Sequence, residues 1–270
     1  MATETMAIIE AGGYRSPSGN DVRIGGGVDT AVARTRLHLP AEELPASGSL
    51  GDGALVTEHV TEVTNETSLA AARRLGPGVA CLVFASAKSP GGGFLNGAQA
   101  QEESIARSSA LYPCQQAASE FYAFHRGQGN LCYSDRIIYS PGVPVFRADD
   151  GTLLDEAYPV SFLTAAAPNL GAIMDSQPTA AGAVPGVLAA RARRVLEVAA
   201  AHGHRKLVLG AWGCGVFRND PAVVAEAFAT QLGRFAGRFD QIVFAVLDHQ
   251  PGTPTHAAFA RAFSSIGDSA

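Results

Sequence analysis

The sequence has few charged residues, few cysteines and no long apolar run. Asp, Glu, Lys and Arg make up 17% of its 270 residues, against about 25% in an average soluble protein. Together with 47% hydrophobic residues and 30 glycines, this composition excludes a disordered or fibrous chain and favours a compact α/β enzyme. No apolar stretch approaches the roughly 18 residues of a membrane-spanning helix, so no membrane partner is expected.

The chain also lacks a dense basic patch. Its net charge is −5, and the visible group of cations, Arg191, Arg193 and Arg194, fits a solvated helix face. Direct DNA binding is therefore not expected. A monomer is the expected state.

The four cysteines are scattered, and none forms a Cys-x-x-Cys pair or lies near a histidine at zinc-like spacing. A disulfide framework is not expected, and neither a metal nor a cofactor is predicted. The N-terminus lacks a basic region followed by an apolar core, so no signal peptide is predicted. These features favour free thiols in a reducing, cytoplasmic compartment.

Strands alternate with helices over most of the chain, which predicts a three-layer α/β/α domain. Residues 1–50 are rich in glycine and proline and are interpreted as an N-terminal accessory segment, with one short helical or extended piece at Val28–Leu39. Residues 51–270 form the predicted catalytic domain. Strands are predicted at 56–63, 79–85, 136–140, 143–147, 160–165, 206–209 and 240–247, and helices at 65–75, 99–111, 115–124, 184–202, 221–235 and 255–263.

The first glycine loop, Gly91–Gly97, follows the buried strand and is the most informative stretch. It opens with the triplet Gly91, Gly92 and Gly93, and the sequence Gln101, Glu102, Glu103 begins the next helix. Glycines allow the backbone to approach a bulky ligand, and two carboxylates at the same place can supply acid–base chemistry. Asn96 within this loop either contacts a ligand or only fills a turn.

The second glycine loop, Gly210–Asn219, lies between a strand and the helix that begins near Pro221. Such loops present backbone N–H groups beside a helix N-terminus, which favours a phosphate. The carboxyl ends of parallel strands share one edge of the sheet, so both loops can converge on one ligand. The residues expected to contact it are Gly213, Cys214, Gly215, Val216 and Phe217.

The triplet, the seven-residue spacer and Gln101-Glu102-Glu103 resemble the signature of poly(ADP-ribose) glycohydrolases. The surrounding Phe84–Ser104, together with Val63–Thr67 and Gly210–Asn219, is similar to the bacterial, microbial-type branch, and this similarity covers roughly residues 55 to 250. The resemblance implies a macrodomain fold with a mixed central sheet. It also implies a glycosidase that cuts the ribose–ribose O-glycosidic bonds of poly(ADP-ribose), with ADP-ribose and ADP-ribosylated proteins as partners.

By the same resemblance, Glu103 is the catalytic residue and Glu102 helps to hold the ribose. The glycine triplet and Gln101 contact the ligand, and Gly213–Phe217 wraps the diphosphate and the terminal ribose. Helix geometry is relevant here, because adjacent residues point about 100° apart and cannot easily flank one bond. Both acids lie beside the helix face formed by Ile105 and Ala106, so we expect both side chains to turn inward. We expect Glu103 alone to donate and accept the proton through an oxocarbenium-like transition state.

Three other functions remain open beside the one that the resemblance implies. A non-catalytic ADP-ribose-binding protein would use the same pocket, although a free carboxylate does not suit a pure anion site. A mono-ADP-ribosyl hydrolase would act on protein–ribose linkages. A phosphatase of ADP-ribose 1″-phosphate would release inorganic phosphate.

Overall fold

A computed structural model describes residues 1–44 and 60–264 of the chain. Within this part, a seven-stranded mixed sheet lies between two layers of helices. The strands are β1 (Gly13–Arg15), β2 (Asp21–Arg23), β3 (Arg36–His38), β4 (Val60–Thr64), β5 (Val79–Phe84), β6 (Ile137–Arg147), β7 (Leu153–Ala165), β8 (Lys206–Leu209) and β9 (Gln241–Ala245). The helices are α1 (Ala2–Ala11), α2 (Gly25–Arg34), α3 (Ser68–Leu75), α4 (Gln101–Ser108), α5 (Leu111–Ala117), α6 (Ser119–Gly127), α7 (Leu170–Ser176), α8 (Val184–Ala201), α9 (Pro221–Leu232) and α10 (Pro254–Ser264).

β1 and β2 pair antiparallel in a separate two-stranded sheet, and the order of the other seven strands in the central sheet is β3-β6-β7-β5-β8-β9-β4. β3, β6 and β7 pair antiparallel, whereas β7, β5, β8, β9 and β4 pair parallel to one another. β5 and β8 are neighbours, so the two glycine loops leave adjacent strands at the same edge. Their position at one edge is as expected, and their convergence on one ligand stays a prediction.

Successive side chains of the inner strands point to opposite faces of the sheet, as strand geometry requires. On β5, Ala80 and Leu82 pack beneath α8, α9 and α10, while Val79, Cys81 and Val83 pack beneath helices α1 to α5. Burial on both faces explains the continuous apolar run of β5. The four cysteines are free, and none of the described helices is long and apolar enough to cross a membrane.

The N-terminal residues contribute to the helical layer and to the sheet. Ile8 of α1 and Val28 of α2 enter the core, and β3 forms an edge strand paired with β6. The piece expected at Val28–Leu39 is in fact the end of α2 followed by β3. The proposed boundary near residue 50 falls outside the described residues, so the division into an accessory segment and a catalytic domain stays a prediction.

The structure differs from the predicted elements at two prolines, Pro141 and Pro113. β6 continues through Pro141 and Gly142, with a shift of register between Ser140 and Val143 that absorbs them as a bulge. The helix expected at 115–124 is two helices, and the first begins before Pro113. Pro113 lies in the first turn of α5, where its missing N–H is not needed for a helical hydrogen bond.

His125 gives the fold a measurable dependence on pH. It is buried on α6 against Phe121 and Tyr133, and this burial lowers its pKa to about 4. An unfolded histidine titrates near 6.5, so the unfolded chain takes up the proton first and stability is lost as pH falls from about 6.5 to about 4. Between pH 7 and 4.5, wild type should lose about 1–2 kcal/mol more unfolding free energy than His125→Leu, allowing for partial solvation.

Urea denaturation of both proteins at the two pH values measures this difference. Equal losses in wild type and His125→Leu would contradict the assignment, because the variant has no imidazole to protonate at this position.

Candidate active site

A cleft of about 590 Å³ opens at the carboxyl edge of the parallel strands. Its size falls in the usual range for small-molecule sites. The lining comes from the ends of β4, β5, β8 and β9 and from the start of α4. The lining residues are 66–69, Phe84, 99–101, Ser104, Ile105, Asp149, Ala211, Cys214, Gly215, 245–250 and Thr255.

α4 begins directly after the first glycine loop and places both glutamates in its first turn. Glu102 is 2% exposed and Glu103 is 9% exposed, so both side chains turn inward, as expected. The N–H of Gly93 donates to Glu103 Oε1 at 3.0 Å. The glycine loop therefore holds the carboxylate proposed to be catalytic.

Glu102 is held from two sides. Its Oε2 accepts the N–H of Ser86 at 2.6 Å, and its Oε1 accepts the side-chain amide of Gln115 at 2.9 Å. Burial raises the pKa of Glu102 to about 8; these two hydrogen bonds oppose the rise, and the charge of Glu103 adds to it. A carboxyl whose pKa is raised this far by burial is typical of a functional site.

The glycine triplet is required by contacts inside the protein. Gly91 and Gly92 have φ of +63° and +57°, a region that disfavours other residues. A Cβ at Gly92 would collide with Glu103 Oε1 and lie 3.1 Å from Glu102 Oε2. At Gly93 it would lie 2.8 Å from Ala98 Cβ. Both carboxylates thus converge on Gly92, which has no side chain to keep them away.

Gln101 lines the cleft, but its amide is used within the protein. Its Oε1 accepts the N–H of Phe84, and its Nε2 donates to Ser68 Oγ and to the carbonyl of Leu82. These bonds fasten the start of α4 to β5 and α3. Asn96 lies on the exposed surface of the first glycine loop, in a 3-10 turn at Phe94–Asn96.

The second glycine loop is shaped by Asn219 and Gly213. The amide of Asn219 donates to the carbonyls of Pro168 and Gly213, and Gly213 has φ of +72°. Within residues 1–44 and 60–264, no protein acceptor meets the backbone amides of Gly215, Val216 and Phe217. These amides remain available for an anion, as the sequence led us to expect of this loop.

Phe217 of the second glycine loop packs against a small hydrophobic cluster. Its ring lies 6.2 Å from that of Tyr133, in a cluster that also contains Ala87 and Tyr122. Val216 is 82% exposed. Burial raises the pKa of the Cys214 thiol to about 12, so it is protonated at neutral pH and is a poor nucleophile there.

Several residues of the site carry no sequence signal that we recognised. Gln115 bridges Gly91 and Glu102, although it lies on a different helix. Asn65 exchanges two hydrogen bonds with the backbone of Asp248 and joins the ends of β4 and β9. Thr67 is the cap of α3, and its hydroxyl also donates to Asp149.

The sheet, its cleft and the paired glutamates define a hydrolase with a macrodomain-like fold. Residues 2–148 match the family model described as "Microbial-type PARG, catalytic domain". The chain belongs to this family of microbial-type poly(ADP-ribose) glycohydrolases, which are glycosidases. The match reaches residue 2, so the similarity extends beyond the expected 55–250 into the N-terminal segment.

Solved structures agree with this membership. The chain is 55% identical to the poly(ADP-ribose) glycohydrolase of Thermomonospora curvata, with 97% of each chain covered and a TM-score of 0.90. The same enzyme bound to the inhibitor ADP-HPD gives a TM-score of 0.88 at 55% identity and the same coverage. The Deinococcus radiodurans enzyme in complex with ADP-ribose is 47% identical, with 89% of this chain and 98% of that chain covered and a TM-score of 0.82. No curated protein sequence matches the chain.

Proposed function

We propose that this protein hydrolyses the ribose–ribose O-glycosidic bonds of poly(ADP-ribose) and releases ADP-ribose. The observation that carries the proposal is the position of Glu103, a nearly buried carboxylate that is held by the Gly93 N–H and lies on α4 between Gln101 and Ser104 of the cleft lining. The Deinococcus relative bound to ADP-ribose and the Thermomonospora relative bound to ADP-HPD support the choice of substrate.

In this proposal Glu103 carries the proton in both steps. Protonated, it donates to the departing ribose oxygen as the oxocarbenium-like centre forms; ionised, it then activates the attacking water. The two carboxylates converge on Gly92 instead of flanking a gap, which fits one acid–base residue better than an opposed pair. The developing cation is stabilised by the neighbouring diphosphate, which lessens the need for a carboxylate nucleophile.

The remaining predicted residues bind the substrate. The free amides of Gly215, Val216 and Phe217 take the diphosphate, and Gly91–Gly93 and Asn96 contact the ribose side of the ligand. Glu102 accepts a ribose hydroxyl, because each of its oxygens keeps a second lone pair beside the bond it already makes. Gln101 and Cys214 complete the cleft wall, and Gly213 shapes the second loop beside it.

Incubation of the purified protein with poly(ADP-ribose), followed by chromatography of the products, tests the function. We expect ADP-ribose to accumulate with time. Parallel incubations with a singly ADP-ribosylated protein and with ADP-ribose 1″-phosphate separate the mono-ADP-ribosyl hydrolase and phosphatase alternatives. Binding of ADP-ribose without any product from polymer would show a non-catalytic binding protein and reject the proposal.

A further inference from the structure

Gln115 of α5 lies behind the glutamate pair and is fully buried. Its Oε1 accepts the N–H of Gly91 at 2.7 Å, and its Nε2 donates to Glu102 Oε1 at 2.9 Å. The same Nε2 lies 3.5 Å from Thr164 Oγ1 on β7. One amide therefore joins the glycine loop to the first glutamate of the pair.

The chemistry of its partners fixes the orientation of this amide. The N–H of Gly91 can only donate, so the amide oxygen must face Gly91 and the amide nitrogen must face Glu102. Leucine would provide neither bond. An ionised glutamate would accept from Gly91 but place a second negative charge against Glu102.

Glu102 and the glycine loop are thereby held at a fixed separation. Ser86 N–H donates to the other oxygen of Glu102, so Ser86 and Gly91 anchor the segment between β5 and α4 at two points. Gly93 follows within the same loop and holds Glu103. A movement of Gln115 would therefore reach Glu103 through the loop.

We infer that Gln115 is a positioning residue for the proposed hydrolysis, which fixes the glycine loop against Glu102 so that Glu103 keeps its orientation toward the scissile bond. This inference rests on the proposed function. Gln115 does not touch the substrate in this role. A small displacement of a reacting group can cost up to about 100-fold in rate, so its effect falls on turnover more than on binding.

The ionisable groups around Glu102, the partner of this amide, determine how its variants respond to pH. Glu103 on α4 and Tyr122 on α6 interact electrostatically with Glu102, and Tyr112 on α5 does so with Tyr122, while Thr164 on β7, the other neighbour of the amide, is uncharged. The Tyr122 hydroxyl is buried and makes no hydrogen bond within the part of the chain that the structure describes. Loss of the Gln115 donor would raise the pKa of Glu102 further, because that hydrogen bond lowers it.

The test compares Gln115→Leu and Gln115→Glu with wild type on poly(ADP-ribose) from pH 5.5 to 8.5. Gln115→Leu should lower kcat by about 10- to 100-fold, with KM and the calorimetric affinity for ADP-ribose within about threefold of wild type. Gln115→Glu should approach wild-type kcat at low pH, where a protonated carboxyl donates to Glu102 and accepts from Gly91. It should lose activity as pH rises and the two carboxylates repel each other.

Gln231→Leu is the matched control, since Gln231 is a buried glutamine on α9, on the opposite face of the sheet. It should leave kcat unchanged. A folded Gln115→Leu with kcat within twofold of wild type would overturn the inference. So would equal, pH-independent losses in both Gln115 variants, because a purely structural role predicts that result.

A second measurement separates this inference from the proposed function. Carbon-13 NMR titration of the Glu102 carboxyl does not require turnover, and its midpoint should be higher in Gln115→Leu than in wild type. If Gln115→Leu does not fold, the test rests on Gln115→Glu, through its Glu102 titration midpoint and the pH profile of its activity. A Glu102 midpoint equal to that of wild type would reject the inference. A wild type that does not cleave polymer rejects the proposed function instead.

Discussion

Replacement of Glu103 by glutamine should abolish nearly all release of ADP-ribose from poly(ADP-ribose). Glutamine has almost the same shape and its oxygen still accepts the N–H of Gly93, so the loop keeps its support. The amide cannot donate or accept the proton at the scissile bond. Loss of general acid–base catalysis lowers rates by about 10²- to 10⁴-fold, and we expect kcat to fall within that range. Initial rates of ADP-ribose formation measure the effect.

Two further results distinguish catalysis from binding in this variant. Glu103→Gln should still bind ADP-ribose in calorimetry, because the amides proposed to hold the diphosphate lie on the other loop. Glu120→Gln is the matched control, an exposed glutamate near the start of α6, and should retain full activity. A folded Glu103→Gln with near-normal kcat would show that another group transfers the proton.

Glu102 should behave differently on the same substitution. Both of its oxygens accept hydrogen bonds from groups that can donate but cannot accept. These groups are the N–H of Ser86 and the amide nitrogen of Gln115. A glutamine at this position would direct its NH₂ group at one of these donors and leave it unpaired in a buried place, which costs about 1–3 kcal/mol. A loss of activity in Glu102→Gln would therefore combine altered geometry with any direct role of Glu102. A loss of activity in Glu103→Gln reflects proton transfer more directly.

The sequence predicts most of the sheet because each inner strand is a short apolar run that can be recognised without knowledge of its partners. β8 has the predicted bounds, Lys206–Leu209, since a short apolar run lies there between Gly203 and Gly210. The inward turn of Glu102 and Glu103 also follows from local pattern, because Ile105 and Ala106 mark the buried face of α4. The glycines and acids adjoin one another in the chain, so their proximity needs little tertiary information.

The remaining features depend on contacts between distant segments. The role of Gln115 requires the rotation of α5 against the glycine loop, which a 13-residue separation from Glu102 does not reveal. β3 spans only three residues and owes its place in the sheet to pairing with β6. α1 has a weak apolar pattern, with only Thr5 and Ile8 buried. The sequence predicts that the triplet leaves room for a ligand, whereas the structure shows that its space is needed by Glu103, Phe94 and Ala98.

Substitution of Gly92 by alanine should remove most activity, while the loss of stability should not exceed the cost of the left-handed backbone. The added Cβ would collide with Glu103 Oε1 and lie 3.1 Å from Glu102 Oε2. Glu102 is fastened by Ser86 and Gln115, so Glu103, the flexible partner, must move away. The fold tolerates this shift of a side-chain end, but the proton donor leaves its place. Since misplacement of about 1 Å can cost 100-fold, we expect kcat to fall by at least about that factor.

Gly203→Ala separates the collision from backbone strain. Gly203 has φ of +75° at the end of α8, and a Cβ there meets nothing within 4 Å. Both alanine variants should lose about 1–2 kcal/mol through the left-handed conformation, seen as similar decreases in urea midpoint, but Gly203→Ala should keep its kcat. If Gly92→Ala also kept its kcat, the triplet would not be what holds Glu103 in its active orientation. Because Gly92 lies beside both carboxylates while Gly203 lies at the opposite edge of the sheet, a difference confined to kcat would assign the effect to the position of Glu103.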